Sequence, residues 1–362
     1  MLYIMILFSI VGGIDKIFGN KLGLGEKFDE GFKAMGGLAL TVIGIYSLSP
    51  IIGKVLIPIL NPLAKVIKAD PSVFISSLLA IDMGGYSTSL EIAASRHIGE
   101  FNGFILASMM GATISFTIPV AVNLISKDDF AYFAKGILAG IITIPLGMLV
   151  GGIMMKVSFR DIFLNLIPVI IFSILIVVGL IKAQEKIIGI FNLLGKGIII
   201  ISTIGLLISI LDFTLGIKLI DNIISFEEGV ILVANIAIVL SGAYPLFHFI
   251  SKKLNRILSK VTKKLGIDEH SLLGLITSLA NCIPMLGIYD KMNWKGKVIN
   301  AAFAVSGSFT FGGQLGYISS ISPSAVNPFI ISKLIAGLAA ILVAILLIKF
   351  EQKPKRGVKY EY

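Results

Sequence analysis

The chain has 362 residues, 56% of them hydrophobic and 14% charged, with a mean hydropathy of +0.96. Soluble domains carry about 25% charged residues, so the composition argues against a soluble enzyme or binding module and for an all-α, polytopic integral membrane protein. The formal net charge of +10 would suggest nucleic acid in a soluble protein, but the lysines lie mainly in short connections, where they mark positive-inside topology; no nucleic-acid partner is expected.

In chain order, hydrophobic blocks fall near residues 1–18, 34–60, 72–91, 101–125, 132–155, 161–182, 190–211, 229–250, 271–289, 297–318 and 325–349. Each approaches the ~20 residues that span hydrocarbon. This predicts about 9–11 membrane segments in one transmembrane domain over 1–350, embedded in the lipid bilayer. The first block lacks a basic leader and an A-x-A-like cleavage site, so it reads as a first span and not a removed signal. Two polar connections are longer, Gly19 to Lys33 and Ser251 to Glu269. A short basic tail, 351–362, is expected to be cytoplasmic.

Asp82 stands out in the uncharged run Phe74-Ile-Ser-Ser-Leu-Leu-Ala-Ile-Asp82-Met-Gly84-Gly85-Tyr86. A carboxylate at membrane depth costs roughly 2.5–3.5 kcal/mol on insertion scales, so it implies a protein-lined or watery cavity. Gly84-Gly85 supplies a helix break beside the charge. About 199 residues later Leu279-Ala-Asn281-Cys-Ile-Pro284 repeats the pattern, Asn281 standing for Asp82 and Pro284 for the glycines. Gly44-Ile-Tyr46 and Gly242-Ala-Tyr244 echo each other at an offset of 198, Phe104 to Ser108 and Phe303 to Gly307 at 199. A polar residue at a helix break in each half is the mark of a secondary transporter built from an internal repeat, here with repeat 1 at about 34–125 and repeat 2 at about 229–320.

The charges constrain the topology further. The basic connection 251–269 and the basic tail should share the cytoplasmic side, which three full crossings between them forbid. If the Asn281 block is a re-entrant hairpin turned at Pro284, the signs agree. The same treatment of the Asp82 block leaves five crossings between the hairpins. The two hairpins then enter from opposite sides as an inverted repeat with two re-entrant or broken helices.

Asp82 is thus the candidate site for a small ammonium solute, with Asn281 as a neutral donor and acceptor. Gln314 is a further polar contact, and Tyr46 and Tyr244 are aromatic faces for a cation, against the commoner role of tyrosine at membrane interfaces. No basic residue lies within the Asp82 block. Glu91, near Arg96 and His97, reads as a solvated charge or a gate. His97, His248 and His270 have no metal-ligand spacing, and no Walker A or H-E-x-x-H sequence occurs. No metal, cofactor or enzymatic activity is expected.

Several stretches resemble the EutH family of ethanolamine permeases: Glu30-Gly-Phe-Lys-Ala-Met-Gly36, Ala80-Ile-Asp-Met-Gly-Gly85, Ser108-Met-Met-Gly111, Gly242-Ala-Tyr-Pro245, Leu279-Ala-Asn-Cys-Ile-Pro-Met285 and Gly296-Lys-Val-Ile-Asn300 onward to Ser306. The likeness runs from about Phe28 to Gly337. It implies a multi-pass protein of the bacterial cytoplasmic (inner) membrane that takes up ethanolamine, a cation with one hydroxyl, for its degradation. The family pattern has an Asp-His pair where this chain has Gly313-Gln314, which leaves the exact solute open. Uptake by facilitated diffusion or by proton coupling through Asp82 or Glu91 both remain open, as does a homo-oligomer. The rivals are a symporter for another small amine, amino alcohol or amino acid, an intramembrane enzyme, and a scaffold that recruits partners through 251–269.

Overall fold

The structure, a computed structural model, describes residues 2–350, with the backbone alone at Gln184 and 252–265. Among these residues every regular element is a helix, and seven helices are long and apolar enough to cross a membrane. Their outward faces keep large apolar side chains in the open, such as Leu175 (61% exposed), Ile199 (59%) and Leu338 (58%). Such faces suit hydrocarbon, where the backbone must satisfy itself within helices. The tail at 351–362 lies outside the described residues.

Helices α1 (Leu2–Ile17) and α2 (Leu24–Ile67) are joined by a short turn. Asp15 Oδ1 accepts from Leu22 N at 2.9 Å, and Oδ2 accepts from Leu24 N at 2.9 Å and Gly25 N at 3.1 Å. The first amides of a helix have no carbonyl partner of their own, so this carboxylate starts α2 inside the segment 19–33 expected to be a connection. Helix α2 also runs through Pro50, Pro58 and Pro62. Pro50 leaves the Tyr46 carbonyl without its usual amide donor, and Ser49 Oγ donates to that oxygen at 2.8 Å.

The Asp82 block does not cross. Helices α3 (Ser72–Leu78) and α4 (Tyr86–Ile92) fold back on each other through a wide turn at Ile81–Gly85, and Ser76 Oγ meets Ser89 Oγ at 2.6 Å. Both ends are held by one carboxylate. Asp70 Oδ1 accepts from Ser72 N at 2.9 Å and from Ser72 Oγ at 2.5 Å, while Oδ2 accepts from Ala94 N at 2.9 Å. Five spans follow: α5 (Arg96–Leu124), the kinked pair α6 (Phe130–Ile141) and α7 (Ile144–Met154), α8 (Phe159–Lys182), α9 (Gln184–Leu215) and α10 (Phe226–Leu265). Helix α10 carries on through most of 251–269, so that segment is a helical extension and not the loop expected.

A second hairpin, α11 (Glu269–Ser278) and α12 (Cys282–Gly287), is clamped the same way. Asp268 Oδ1 accepts from Ser271 N at 2.8 Å and Ser271 Oγ at 2.7 Å, and Oδ2 accepts from Asn293 N. Asn102 Nδ2 donates to Ser72 Oγ in the first half, and Asn300 Nδ2 to the Ser271 carbonyl in the second. Helices α13 (Trp294–Gly307) and α14 (Gly313–Ile321) form one interrupted span, and α15 (Val326–Lys349) closes the bundle.

Glycines set the closest helix contacts, and they recur in pairs 198 residues apart. A Cβ on Gly31 would lie 2.4 Å from Ser241 N, and one on Gly229 would lie 2.9 Å from Ile43 Cγ2. The later residue of α2 thus meets the earlier residue of α10, so these two helices run antiparallel. Likewise a Cβ on Gly44 would lie 1.8 Å from Ser202 O in α9, and one on Gly242 would lie 1.9 Å from Met5 O in α1. Gly44→Ala and Gly242→Ala are each expected to cost about 1–3 kcal/mol through overpacking, read as a lower thermal midpoint in detergent. Gly36→Ala, at an open position of α2, should leave the midpoint unchanged or raise it, because alanine favours a helix over glycine.

Candidate solute site

The tip of the first hairpin is built from backbone that is neither helix nor strand. Leu79 and Ala80 are extended, Met83 has φ −111° and ψ 34°, and Gly84 has φ +91°. That positive φ favours glycine. Gly85 is required for closeness, since a Cβ there would lie 2.3 Å from Leu79 O. The break frees donors, and Ala80 N is satisfied by Ser115 Oγ of α5 at 2.9 Å. Asp82 projects from this turn. It is partly exposed, and among the described residues its carboxylate receives a hydrogen bond only from its own backbone N–H.

A second intramembrane charge faces the same region. Lys333, in the middle of α15, is 1% exposed. Its Nζ donates to the Ser108 carbonyl at 2.6 Å and to Gln314 Oε1 at 2.8 Å, and lies 5.3 Å from the Phe329 ring centre. Lys333 and Asp82 are within electrostatic range of each other without forming an ion pair. No basic residue lies in the Asp82 block; the opposite charge comes from the last span. The rule that singled out Asp82, a charge inside an apolar run, applies equally to Lys333 and would have found it.

The other candidates fall in different places. Gln314 is 2% exposed and is engaged by Lys333. Tyr46 of α2 lies within electrostatic range of Tyr317, as do Tyr86 and Asp82; the Tyr86 and Tyr317 rings meet edge to face at 6.0 Å. Of these aromatics, Tyr317 is the one linked directly to Asp82. Tyr244 instead lies near Glu30, and no described contact links it to Asp82. Asn281 caps α12, its Oδ1 accepting from Ile283 N at 2.9 Å, so that oxygen is already engaged. The neighbouring Cys282 lies within range of Lys333 and meets Thr117 Oγ1 at 4.0 Å.

Pro284 does not sit at the second break. It falls in the first turn of α12, where a missing N–H costs nothing, and the break itself is Leu279–Asn281. The gap there is filled from the interruption between α13 and α14. Phe309 N donates to Ser278 O at 3.0 Å and Phe311 N to Leu279 O at 2.7 Å. Tyr86 Oη, Ser278 Oγ, Ser306 Oγ and Ser308 Oγ are buried without a hydrogen-bond partner. Each such group costs about 1–3 kcal/mol unless something polar reaches it, so the breaks offer contacts to a polar solute. Among the described residues no group of histidine, cysteine or carboxylate side chains could hold a metal ion.

Hairpins, intramembrane charges and apolar outer faces together describe a multi-pass membrane transporter. Over residues 1–347 the chain matches the family described as "Ethanolamine utilisation protein, EutH". It is 44% identical over 345 residues to a Listeria monocytogenes protein named "Probable ethanolamine permease EutH", covering 95% of this chain and 92% of that one. A protein of the same name from Escherichia coli K12 is 36% identical over 389 residues, 97% of this chain and 95% of its own length. "Uncharacterized protein YxeR" of Bacillus subtilis is 42% identical over 344 residues, 95% and 93% of the two chains. No solved structure matches. The chain belongs to the EutH family and is a multi-pass protein of the bacterial inner membrane.

The second clamp gives a test that needs no transport assay. Burial pushes the Asp268 carboxyl up, but hydrogen bonds from Ser271 and Asn293, with His270 nearby, outweigh it and hold the pKa below the ordinary value. A depressed carboxylate contributes stability that is present above its unfolded pKa and lost as pH falls through its folded one. Asp268→Asn should therefore unfold at lower temperature than the native protein near neutral pH. The two midpoints should converge in acid, below the usual aspartate range.

Proposed function

We propose that this protein carries ethanolamine inward across the membrane, with the solute's ammonium bound at Asp82. The observation that carries this reading is the Asp82 carboxylate, partly exposed at a hairpin tip and without a side-chain donor. An anion of this kind at membrane depth persists only with a cation or polar partner to offset its desolvation, and a small ammonium fits that need. The names of the relatives agree on such a solute. Tyr46, Tyr86 and Tyr317 supply aromatic surface beside the charge, which favours an organic cation over a hydrated metal ion.

The transport cycle on this reading uses two inverted halves. The matching clamps at Asp70 and Asp268, the paired glycine contacts and the antiparallel α2 and α10 support it. So does the odd number of spans, five, between the hairpins. The contacts of Gly44 with α9 and of Gly242 with α1 match α1 to α9, so the repeats extend beyond 34–125 and 229–320, to about 2–154 and 184–349. Helix α8 is left as the link between them. Each hairpin then serves as the gate of its own side, held at its base and free to move at its tip.

Lys333 gives weight to a second reading, an amino acid or other zwitterion, because it offers the cation that a solute carboxylate would need. Competition against labelled ethanolamine by glycine or serine separates the two; strong competition would favour the zwitterion.

Uptake of labelled ethanolamine into proteoliposomes should be saturable for the native protein, and Asp82→Asn should weaken it by about tenfold or more, as for loss of one charged hydrogen bond. Full uptake by the Asp82→Asn variant would move the cation site elsewhere. Cysteines placed at exposed Lys68 and Glu269, at the bases of the two hairpins, should react with an impermeant maleimide from opposite sides of the membrane. Reaction from one side would rule out the inversion.

A further inference from the structure

Two buried lysines in this protein are held in different ways. Lys297, at the start of α13, forms an ion pair with Asp129, which precedes α6. Among the described residues Lys333 pairs with no carboxylate. It is held by a backbone carbonyl and a neutral amide, although the Asp82 carboxylate is within electrostatic range and lacks a side-chain donor. Opposite charges so placed in a medium of low dielectric attract strongly, and something must offset their separation. The tip of the first hairpin and Lys333 both rest on the same part of α5. A Cβ on Gly85 would lie 2.9 Å from Ala107 Cβ, one on Gly111 would lie 2.0 Å from Leu79 O, and Lys333 Nζ bonds the Ser108 carbonyl between them. The lysine side chain has three donors on a flexible four-carbon stem, so it can exchange one set of acceptors for another by rotamer changes.

We propose that Lys333 is the built-in counter-cation of Asp82, competing with the solute's ammonium for that carboxylate. This rests on the reading of Asp82 as the ammonium site. Ser108 O and Gln314 Oε1, which hold Lys333 in the structure, are its parking place when solute occupies Asp82; with the site empty, it turns to Asp82. The empty site then carries one positive and one negative charge and is neutral as a whole, so the carrier can return across the hydrocarbon without an exposed anion. The loaded site carries one extra positive charge, which an inside-negative potential draws inward at about 2.3 kcal/mol per 100 mV. Gln314 is the parking acceptor, which gives a role to the glutamine at that position.

The decisive variant is Lys333→Met, which keeps an unbranched apolar stem one atom shorter and removes the charge. Two measurements are made on the purified protein: ethanolamine affinity, by displacement of labelled ethanolamine in detergent, and transport in proteoliposomes, as net uptake and as exchange against internal ethanolamine. The variant should bind ethanolamine about tenfold or more tightly, because a competing charge at short range is gone. It should keep exchange and lose most net uptake, because the empty site is left with a bare carboxylate. Damage to the fold would weaken binding and slow both modes together. Weaker or unchanged affinity in a monodisperse variant would overturn the proposal, as would net uptake falling no more than exchange. Should Lys333→Met fail to fold, Gln314→Leu provides the same test in the opposite sense. Without its parking place Lys333 rests on Asp82, and ethanolamine should bind more weakly; affinity at or above the native level would overturn the proposal. If Asp82→Asn binds ethanolamine as the native protein does, the site assignment itself has failed, whatever Lys333→Met does.

Discussion

One carboxylate at the base of each hairpin holds the fold in a form that can work. Asp70 accepts from Ser72 on the way in and from Ala94 on the way out, and Asp268 does the same with Ser271 and Asn293. Backbone inside a membrane cannot turn to water for its hydrogen bonds, so a chain that enters hydrocarbon and comes back needs its two ends fixed together. The clamps meet that need with one side chain each. With both ends of a hairpin tied, the tip is the part left to vary. Asp82 stands at the first tip, and among the described residues the buried hydroxyls of Ser278, Ser306 and Ser308 near the second break have no hydrogen-bond partner.

The division of labour between halves is unequal. In the first, the hairpin tip carries the full charge and α5 stays continuous, with wide helical turns at Asn102–Gly111 and Thr113–Thr117 beside it. In the second, the hairpin tip carries only Asn281, already spent as a cap, and the partner span is interrupted outright between α13 and α14. The break of the second hairpin is completed by that interruption, and Gly312 is packed so closely that a Cβ would lie 1.9 Å from Ala280 O. Matching elements in the two halves thus differ in build: the first tip carries the charge, and the second is braced by the interrupted span. Lys333, from the last helix, reaches across to the first half and joins them electrostatically.

Much of this was legible in the sequence, for physical reasons that can be named. A carboxylate next to two glycines in an apolar run has few structural explanations, so Asp82 and the first break could be read directly. The failure of both polar blocks to cross followed from counting basic connections. What stayed hidden depended on partners remote in sequence. Lys333 is diluted within a long apolar helix, and its relation to Asp82 exists only once the chain has folded. The helical stretches 24–33 and 251–265 look like polar loops by composition, because nothing in a local pattern shows that Asp15 will start α2 early. Asn281 could be read as the polar residue at the second break, but the break itself ends at Asn281's extended backbone and not at Pro284; a proline in a first helical turn looks in sequence like one at a break.

The single cysteine makes the molecule its own reporter. Cys282 is fully buried, out of reach of alkylating reagents in the closed fold. It sits at the first position of α12, beside the second break and in contact with Thr117 of α5. A reagent can reach it only in molecules whose second hairpin has drawn away from α5. The rate of its modification relative to a free thiol is then a direct reading of how seldom that hairpin opens, obtained from the natural sequence with no label added.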